Sequence, residues 1–195
     1  MTSIIILAAG TSTRLGRAKQ TLQYKGDSLL KHTIKVALDS GVGSVVVVIG
    51  ANEQEIFTNI ENEPVAVVFN KNFQEGIASS IRTGLNYVTK LDQSCENVIL
   101  MVCDQPHVDG SLLRRLLDTK FTTDKRIVAC SYSDTIGVPA LFDKELFPEL
   151  LSLKSEEGGK KVLLRYSDAV AAIPFPSGEI DIDTAADYEA LISDT

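Results

Sequence analysis

IIILAAGTSTRLGRAK, residues 4–19, is the stretch on which the reading of this chain turns. Four aliphatic residues run into two alanines and Gly10, and a short series of small and hydroxyl side chains then delivers Arg14, Arg17 and Lys19. The aliphatic run is continuous rather than alternating, the pattern of a strand covered on both faces in a mostly parallel sheet. It has no basic region before it and is too short to span a bilayer, so it reads as a first strand and not as a leader or an anchor.

Similar β-branched runs follow at SVVVVIG (44–50), VAVVF (65–69), NVILMV (97–102), RIVACS (126–131) and AVAAIP (169–174). Helical patterns lie between them. SLLKHTIKVALDSG (28–41) sets Leu29, Leu30, Ile34, Ala37 and Leu38 along one side and stops at Gly41, a natural residue just past a helix end. GIASSIRTGLNYVTKL (76–91) and SLLRRLLDTK (111–120) have the same periodicity. The alternation predicts an α/β fold, a three-layer αβα Rossmann-like domain with a mostly parallel sheet and right-handed crossovers. With 195 residues and 44% hydrophobic content, residues 1–195 are expected to form one domain. KSEEGGKK (154–161) is expected to be a mobile surface loop.

Nineteen Lys and Arg against 26 Asp and Glu give a net charge of −7, which argues against nucleic acid or an anionic membrane as the main partner. Any anion must therefore meet a local basic site. Cys95, Cys103 and Cys130 are odd in number and show no CxxC spacing, as expected for thiols in a reducing, cytoplasmic compartment.

Ligands of such sheets sit beyond the carboxyl ends of the strands, which directs the reading to the residues after each apolar run. Gly10, Thr11, Ser12 and Thr13 let backbone N–H groups approach phosphate oxygens, with Arg14 and Lys19 supplying charge. The segment is neither a P-loop nor a GxGxxG fingerprint, because Gly16 is followed by Arg17 and Ala18. The alternative is a flexible loop with solvated basic residues. After the strand NVILMV comes Cys103-Asp104-Gln105-Pro106. Asp104 at a strand end suits Mg²⁺ held against a polyphosphate, and its alternative role is to cap the following helix, whose start lies nearer Gly110 and Ser111. In EIDIDTAADY (179–188), alternation sets Asp181 and Asp183 on one face with Ile180 and Ile182 on the other, and Thr184 or Asp183 can cap a terminal helix.

With these three sites in place the chain resembles the nucleotidyltransferases of molybdenum cofactor biosynthesis, most of all the cytidylyltransferase branch. LAAGTSTRLGRAK matches the signature LAAGxSxRxGxxK at Gly10, Ser12, Arg14, Gly16 and Lys19. FNKNFQEGIASSIRTGL (69–85) matches a second family segment at Asn70, Gly76, Ser79, Ser80 and Gly84, and CDQP and DIDTAADY resemble the family's two Asp-bearing stretches. The resemblance implies a GT-A-like nucleotidyltransferase that transfers a nucleoside monophosphate from an NTP to a phosphorylated pterin and releases pyrophosphate. Leu7, Ala8, Ala9, Gly10 and Thr11 would line the nucleotide with Gly76, Ser79, Ser80 and Asp104. Arg14, Lys19 and Asp104 would be the catalytic groups, and Asp104 and Asp183 would hold Mg²⁺. LAAG, through Ala9, favours CTP over GTP.

The chain departs from the family on the acceptor side, where Gln105, His107, Gly137, Pro139 and Gly158 are the candidates. The family's GHP turn is Gly137-Val138-Pro139, its GDxGAR stretch is Ser155 to Lys160, and the proline of DIDTPED is Ala185. A sugar phosphate or methylerythritol phosphate is accordingly the alternative acceptor, and a nucleotide-binding regulator or cofactor-insertion partner the alternative class. A molybdoenzyme or its chaperone is a further expected partner. His32, beside Lys31 on an amphipathic helix, is expected at the surface.

Overall fold

The computed structural model describes residues 1–193. Its elements run β1 (Thr2–Ala8), β2 (Gln23–Tyr24), β3 (Asp27–Ser28), α1 (Leu29–Asp39), β4 (Ser44–Ile49), α2 (Glu53–Ile60), β5 (Ala66–Phe69) and α3 (Ile77–Leu91). They continue with β6 (Asn97–Val102), α4 (Gly110–Thr122), β7 (Ile127–Tyr132), β8 (Thr135–Asp143), α5 (Phe147–Leu151), α6 (Gly159–Arg165), β9 (Val170–Pro174) and α7 (Ala185–Ser193).

The main sheet has the order β5-β4-β1-β6-β8-β7-β9. β1 pairs in parallel with both β4 and β6, and β4 with β5. Every residue of β1 is buried. Its side chains alternate between two cores: Ile4 and Ile6 join α1, α2 and α4 on one face, while Ile5 and Leu7 join α3, α5 and α6 on the other. Each fully buried aliphatic side chain contributes about 1.5–3 kcal/mol, so the strand is held from both sides. Gly84 lets α3 lie unusually close to the sheet, since a Cβ there would stand 2.6 Å from Ile5 Cγ2 and 2.9 Å from Val48 Cγ2. The N-terminal end of α3 is thereby seated at the carboxyl edge of β1 and β4.

β8 is the strand of the main sheet that the sequence pattern does not reveal. It lies between β6 and β7, antiparallel to both, and carries Gly137 and Pro139. The register against β7 jumps between Ala129 and Cys130, opposite this Gly-Val-Pro stretch, and such an irregularity is where a strand tolerates proline. The 154–161 segment also differs from expectation. Its second half is the start of α6, packed through Gly159 against Phe142 and Leu100, and its first half is bonded to α3 through Ala78 N–H to Ser155 O at 3.1 Å. His32 is half-buried, not at the surface, because its ring meets Tyr24 edge-on at 5.0 Å and bonds the Pro106 backbone; burial lowers its pKa. Among the described residues, no helix is long and apolar enough to cross a membrane.

Candidate functional site

The segment after β1 is folded by its own side chains. Buried Gln20 donates through Nε2 to Ala8 O at 2.8 Å and Gly10 O at 3.1 Å, and the Lys19 N–H bonds Ser12 Oγ at 3.1 Å. Ser12 and Gly16 take positive φ of 53° and 73° to make the turn. The loop is thus closed on itself at the end of the strand, with Lys19 aimed inward.

The Lys19 ammonium stands 2.6 Å from Asp104 Oδ2 and 2.9 Å from Asp183 Oδ1, and Arg14 reaches Asp183 Oδ2 at 2.9 Å. Asp104 does not cap α4, because Asp109 does so by accepting the Leu112 N–H at 2.7 Å. Asp183 arrives from the other end of the chain. Its neighbour Ile182 is fully buried among Leu22, Tyr24, Leu29 and Leu191, and the Ile182 N–H bonds Asp104 O at 3.0 Å. The two isoleucines differ in burial: Ile182 is the anchor and Ile180 is exposed, and the segment carrying them is not part of a strand. Thr184 and Asp187 cap α7 reciprocally.

Charge in this cluster is unevenly matched. Burial works against the Lys19 charge, but the Asp104 carboxylate and then Asp183 hold its pKa above the ordinary lysine value. The bond from Lys19 holds Asp183 below the usual carboxylate range. Asp181 is raised to about 6 by desolvation and then by the negative charges of Asp104 and Asp183.

Beside the cluster opens a cleft of about 330 Å³ lined by Leu7, Ala8, Ala9, Gly10, Thr11, Lys19, Gly76, Ser80 and Asp104. Ser79 is not in its wall. The Ser79 hydroxyl donates to Gly76 O at 2.8 Å and accepts from Asn70 Nδ2 at 2.7 Å, and the same amide bonds Ser80 Oγ at 3.0 Å. Arg14 and Asp183, paired with each other, are also outside the wall, which the cluster meets through Lys19 and Asp104. Gln20, Phe73, Gln74 and Ile77 line the cleft without having been singled out from sequence, and Cys103 and Glu156 line it without having been named as site candidates. Burial pushes the Cys103 thiol up to about 12, so it stays protonated. Residues 4–170 match the MobA-like NTP transferase domain.

This chain belongs to the MobA-like NTP transferase family. It is similar to the nicotine blue oxidoreductase of Paenarthrobacter nicotinovorans, at 29% identity over 96% of this chain and 95% of that protein. It is also similar to the molybdenum cofactor cytidylyltransferase of Escherichia coli strain K12, at 23% identity over 94% of this chain and 92% of that one. Among solved structures, Rv0371c of Mycobacterium tuberculosis H37Rv in complex with manganese has a TM-score of 0.79 at 26% identity, covering 100% of this chain and 99% of that one. The family assignment makes the protein a nucleotidyltransferase.

In this NTP transferase, no group of three or more His, Cys, Asp or Glu among the described residues has the arrangement of a metal cage. Two carboxylates meeting at one cation are nevertheless the donor set that Mg²⁺ takes, since it commonly uses one or two carboxylates and completes its shell with water and substrate phosphates.

The acceptor-side candidates of the transferase divide. Gln105 is buried, its Nε2 donating to Gly178 O at 2.9 Å and its Oε1 without a hydrogen-bond partner among the described residues. Gly178 and Gly137 both lie against the Tyr132 ring, so Gln105, Gly137 and Tyr132 form one group. Tyr132 has no motif around it in the sequence. Pro139 follows in β8 and His107 is exposed on the turn after Asp104. Gly158 stands apart, beside Ile77, which lines the cleft.

Proposed function

We propose that the protein transfers CMP from CTP to the phosphate of the molybdenum cofactor's pterin, releasing pyrophosphate, as one cytoplasmic domain over residues 1–195 that uses Mg²⁺. The observation that carries this reading is the meeting of Lys19, Arg14, Asp104 and Asp183 at one end of the cleft behind Ala9 and Gly10. The cytidylyltransferase relative and the LAAG form of the loop support CTP. No GxGxxG follows β1, so the reading does not extend to the redox chemistry in the first relative's name.

An acceptor phosphate oxygen attacks the α-phosphorus as the bond from that phosphorus to the bridging oxygen of pyrophosphate breaks. Donor and acceptor are both anions, so charge neutralisation and alignment are the main requirements. The backbone N–H groups near Gly10 and Thr11 face the phosphates, and Lys19 and Arg14 turn from the carboxylates to the leaving pyrophosphate. Asp104 and Asp183 would hold Mg²⁺, which supplies charge compensation for the phosphates when bound. A phosphate monoester has its second pKa at about 6, so the nucleophile is ionised at neutral pH and no general base is required.

The test is incubation of the protein with α-labelled CTP, Mg²⁺ and freshly prepared molybdenum cofactor. Label appearing in a dinucleotide form of the pterin, with pyrophosphate released in equal amount, is expected. Pyrophosphate release with a sugar phosphate or methylerythritol phosphate, and none with the pterin, would favour the second reading. That second reading rests on the acceptor side, where Val138 stands in place of the family's histidine and Tyr132 fills the space beside Gly137.

A further inference from the structure

Loop 154–158 carries two adjacent carboxylates with different commitments. Glu157 is held by its own neighbourhood, accepting the Lys154 N–H at 2.9 Å through Oε2 and pairing with Lys161 through Oε1. Glu156 has no hydrogen bond or ion pair to any described residue and lines the same cleft as Ala9, Gly10 and Ser80.

Its placement is built into the backbone. Gly76 has φ of +92°, and a Cβ there would stand 2.5 Å from the Ser155 carbonyl and 2.7 Å from Glu156 Oε1. Only glycine at this position lets the loop come down on the start of α3, where the Ala78 N–H to Ser155 O bond fixes it. Ser155 itself takes a left-handed φ of 51°. Three local features thus converge on bringing one uncommitted carboxylate to the wall formed by Gly76, Ile77 and Ser80.

A carboxylate repels a triphosphate, and the phosphate end of the cleft is already defined by Lys19 and Asp104. On the nucleotidyl-transfer reading, Glu156 is placed to meet a part of the nucleotide that donates hydrogen bonds. We propose that Glu156 is a specificity residue for the nucleobase, accepting a hydrogen bond from the exocyclic amino group of cytosine or another amino-bearing base. At the matching position uracil presents a carbonyl oxygen, which a carboxylate disfavours. This assignment rests on the nucleotidyl-transfer reading and deepens it.

The experiment is a calorimetric titration of wild type and Glu156→Gln with Mg²⁺ and each amino-bearing nucleotide against its keto counterpart, CTP against UTP and GTP against XTP. An added arm uses 2′-deoxy-CTP. Glutamine keeps an acceptor and adds a donor, and the exposed loop position leaves the fold intact, as circular dichroism would verify. The wild type is expected to prefer the amino form, and the preference should fall about ten- to a hundredfold in the variant, the worth of a charge-assisted hydrogen bond. A preference unchanged in the variant, with nucleotide still bound, would overturn the assignment alone. A change confined to the 2′-deoxy arm would place the carboxylate at the ribose and also overturn it. Failure of the wild type to bind any of these nucleotides would overturn the underlying nucleotidyl-transfer reading.

Discussion

Lys19 and Asp104, 85 residues apart in the chain, are joined at 2.6 Å, and the same ammonium reaches Asp183 from the far end of the sequence. One cation thus ties together the loop after β1, the turn after β6 and the segment before α7. It also bridges the two carboxylates proposed to hold Mg²⁺.

Replacing Lys19 by Met removes that cation from both carboxylates and from the leaving group. Nucleotidyl transfer should fall by about 10²–10³-fold, the usual cost of removing one preorganised charge partner. Without nucleotide, the variant should bind Mn²⁺ more tightly than the wild type, because Asp104 and Asp183 lose their resident counter-charge. Electron paramagnetic resonance of free Mn²⁺ reads this directly, and equal affinity in the two proteins would count against the proposed metal ligands.

Ile182→Ala tests how Asp183 is placed. Ile182 is fully buried in the small core of Leu22, Tyr24, Leu29 and Leu191, so truncation should cost about 2–4 kcal/mol of stability. Because Asp183 is the next residue, Mn²⁺ affinity in the presence of nucleotide should fall as well. Retention of full affinity in the folded variant would show that Asp183 is held by other contacts.

The strands and the loop after β1 were legible because each follows from a local signal. Continuous β-branched runs mark strands buried on both faces, and Gly10 and Gly16 mark a turn at the strand end. β8 was not legible, since Gly137 and Pro139 read as a turn and only pairing with β6 and β7 makes them a strand. Glu156 was equally hidden: KSEEGGKK has the composition of a solvated loop, and its contact with Gly76 is a tertiary fact. The likeness of Asp181 to Asp183 in sequence also concealed their difference, as among the described residues only Asp183 of the two has cationic partners at bonding distance. Ser79 and Ser80 are adjacent in one motif, yet helix geometry turns Ser79 inward to Asn70 and leaves Ser80 at the cleft.

Gly76→Ala should be severe for its size. The positive φ and the approach of Ser155 both exclude a Cβ, so the loop must lift from α3. A stability loss of about 1–3 kcal/mol is expected by thermal melting. Nucleotide affinity should drop with it; a melting temperature equal to that of the wild type would contradict the packing described.

Asp109 gives a pH signature. Burial opposes its charge, but bonds from the Ser111 hydroxyl and the Leu112 N–H hold its pKa below the ordinary aspartate value. A carboxylate with a depressed folded-state pKa stabilises the protein above its unfolded pKa of about 3.9, and that stability is lost as pH falls through the lower folded value. Asp109→Ala should therefore cost about 1 kcal/mol at pH 7 and progressively less below pH 4, measured by urea unfolding. A cost that stays constant from pH 7 to pH 3 would rule out the carboxylate cap as its source.

The measurement that bears most directly on the central claim is calorimetric titration of the wild type and Asp104→Ala with CTP, GTP, ATP and UTP, each with and without Mg²⁺. The account predicts selective CTP binding by the wild type that strengthens with Mg²⁺, and loss of the Mg²⁺-dependent part in Asp104→Ala. Absence of binding to all four nucleotides, or binding equally strong without Mg²⁺ and in the variant, would contradict it.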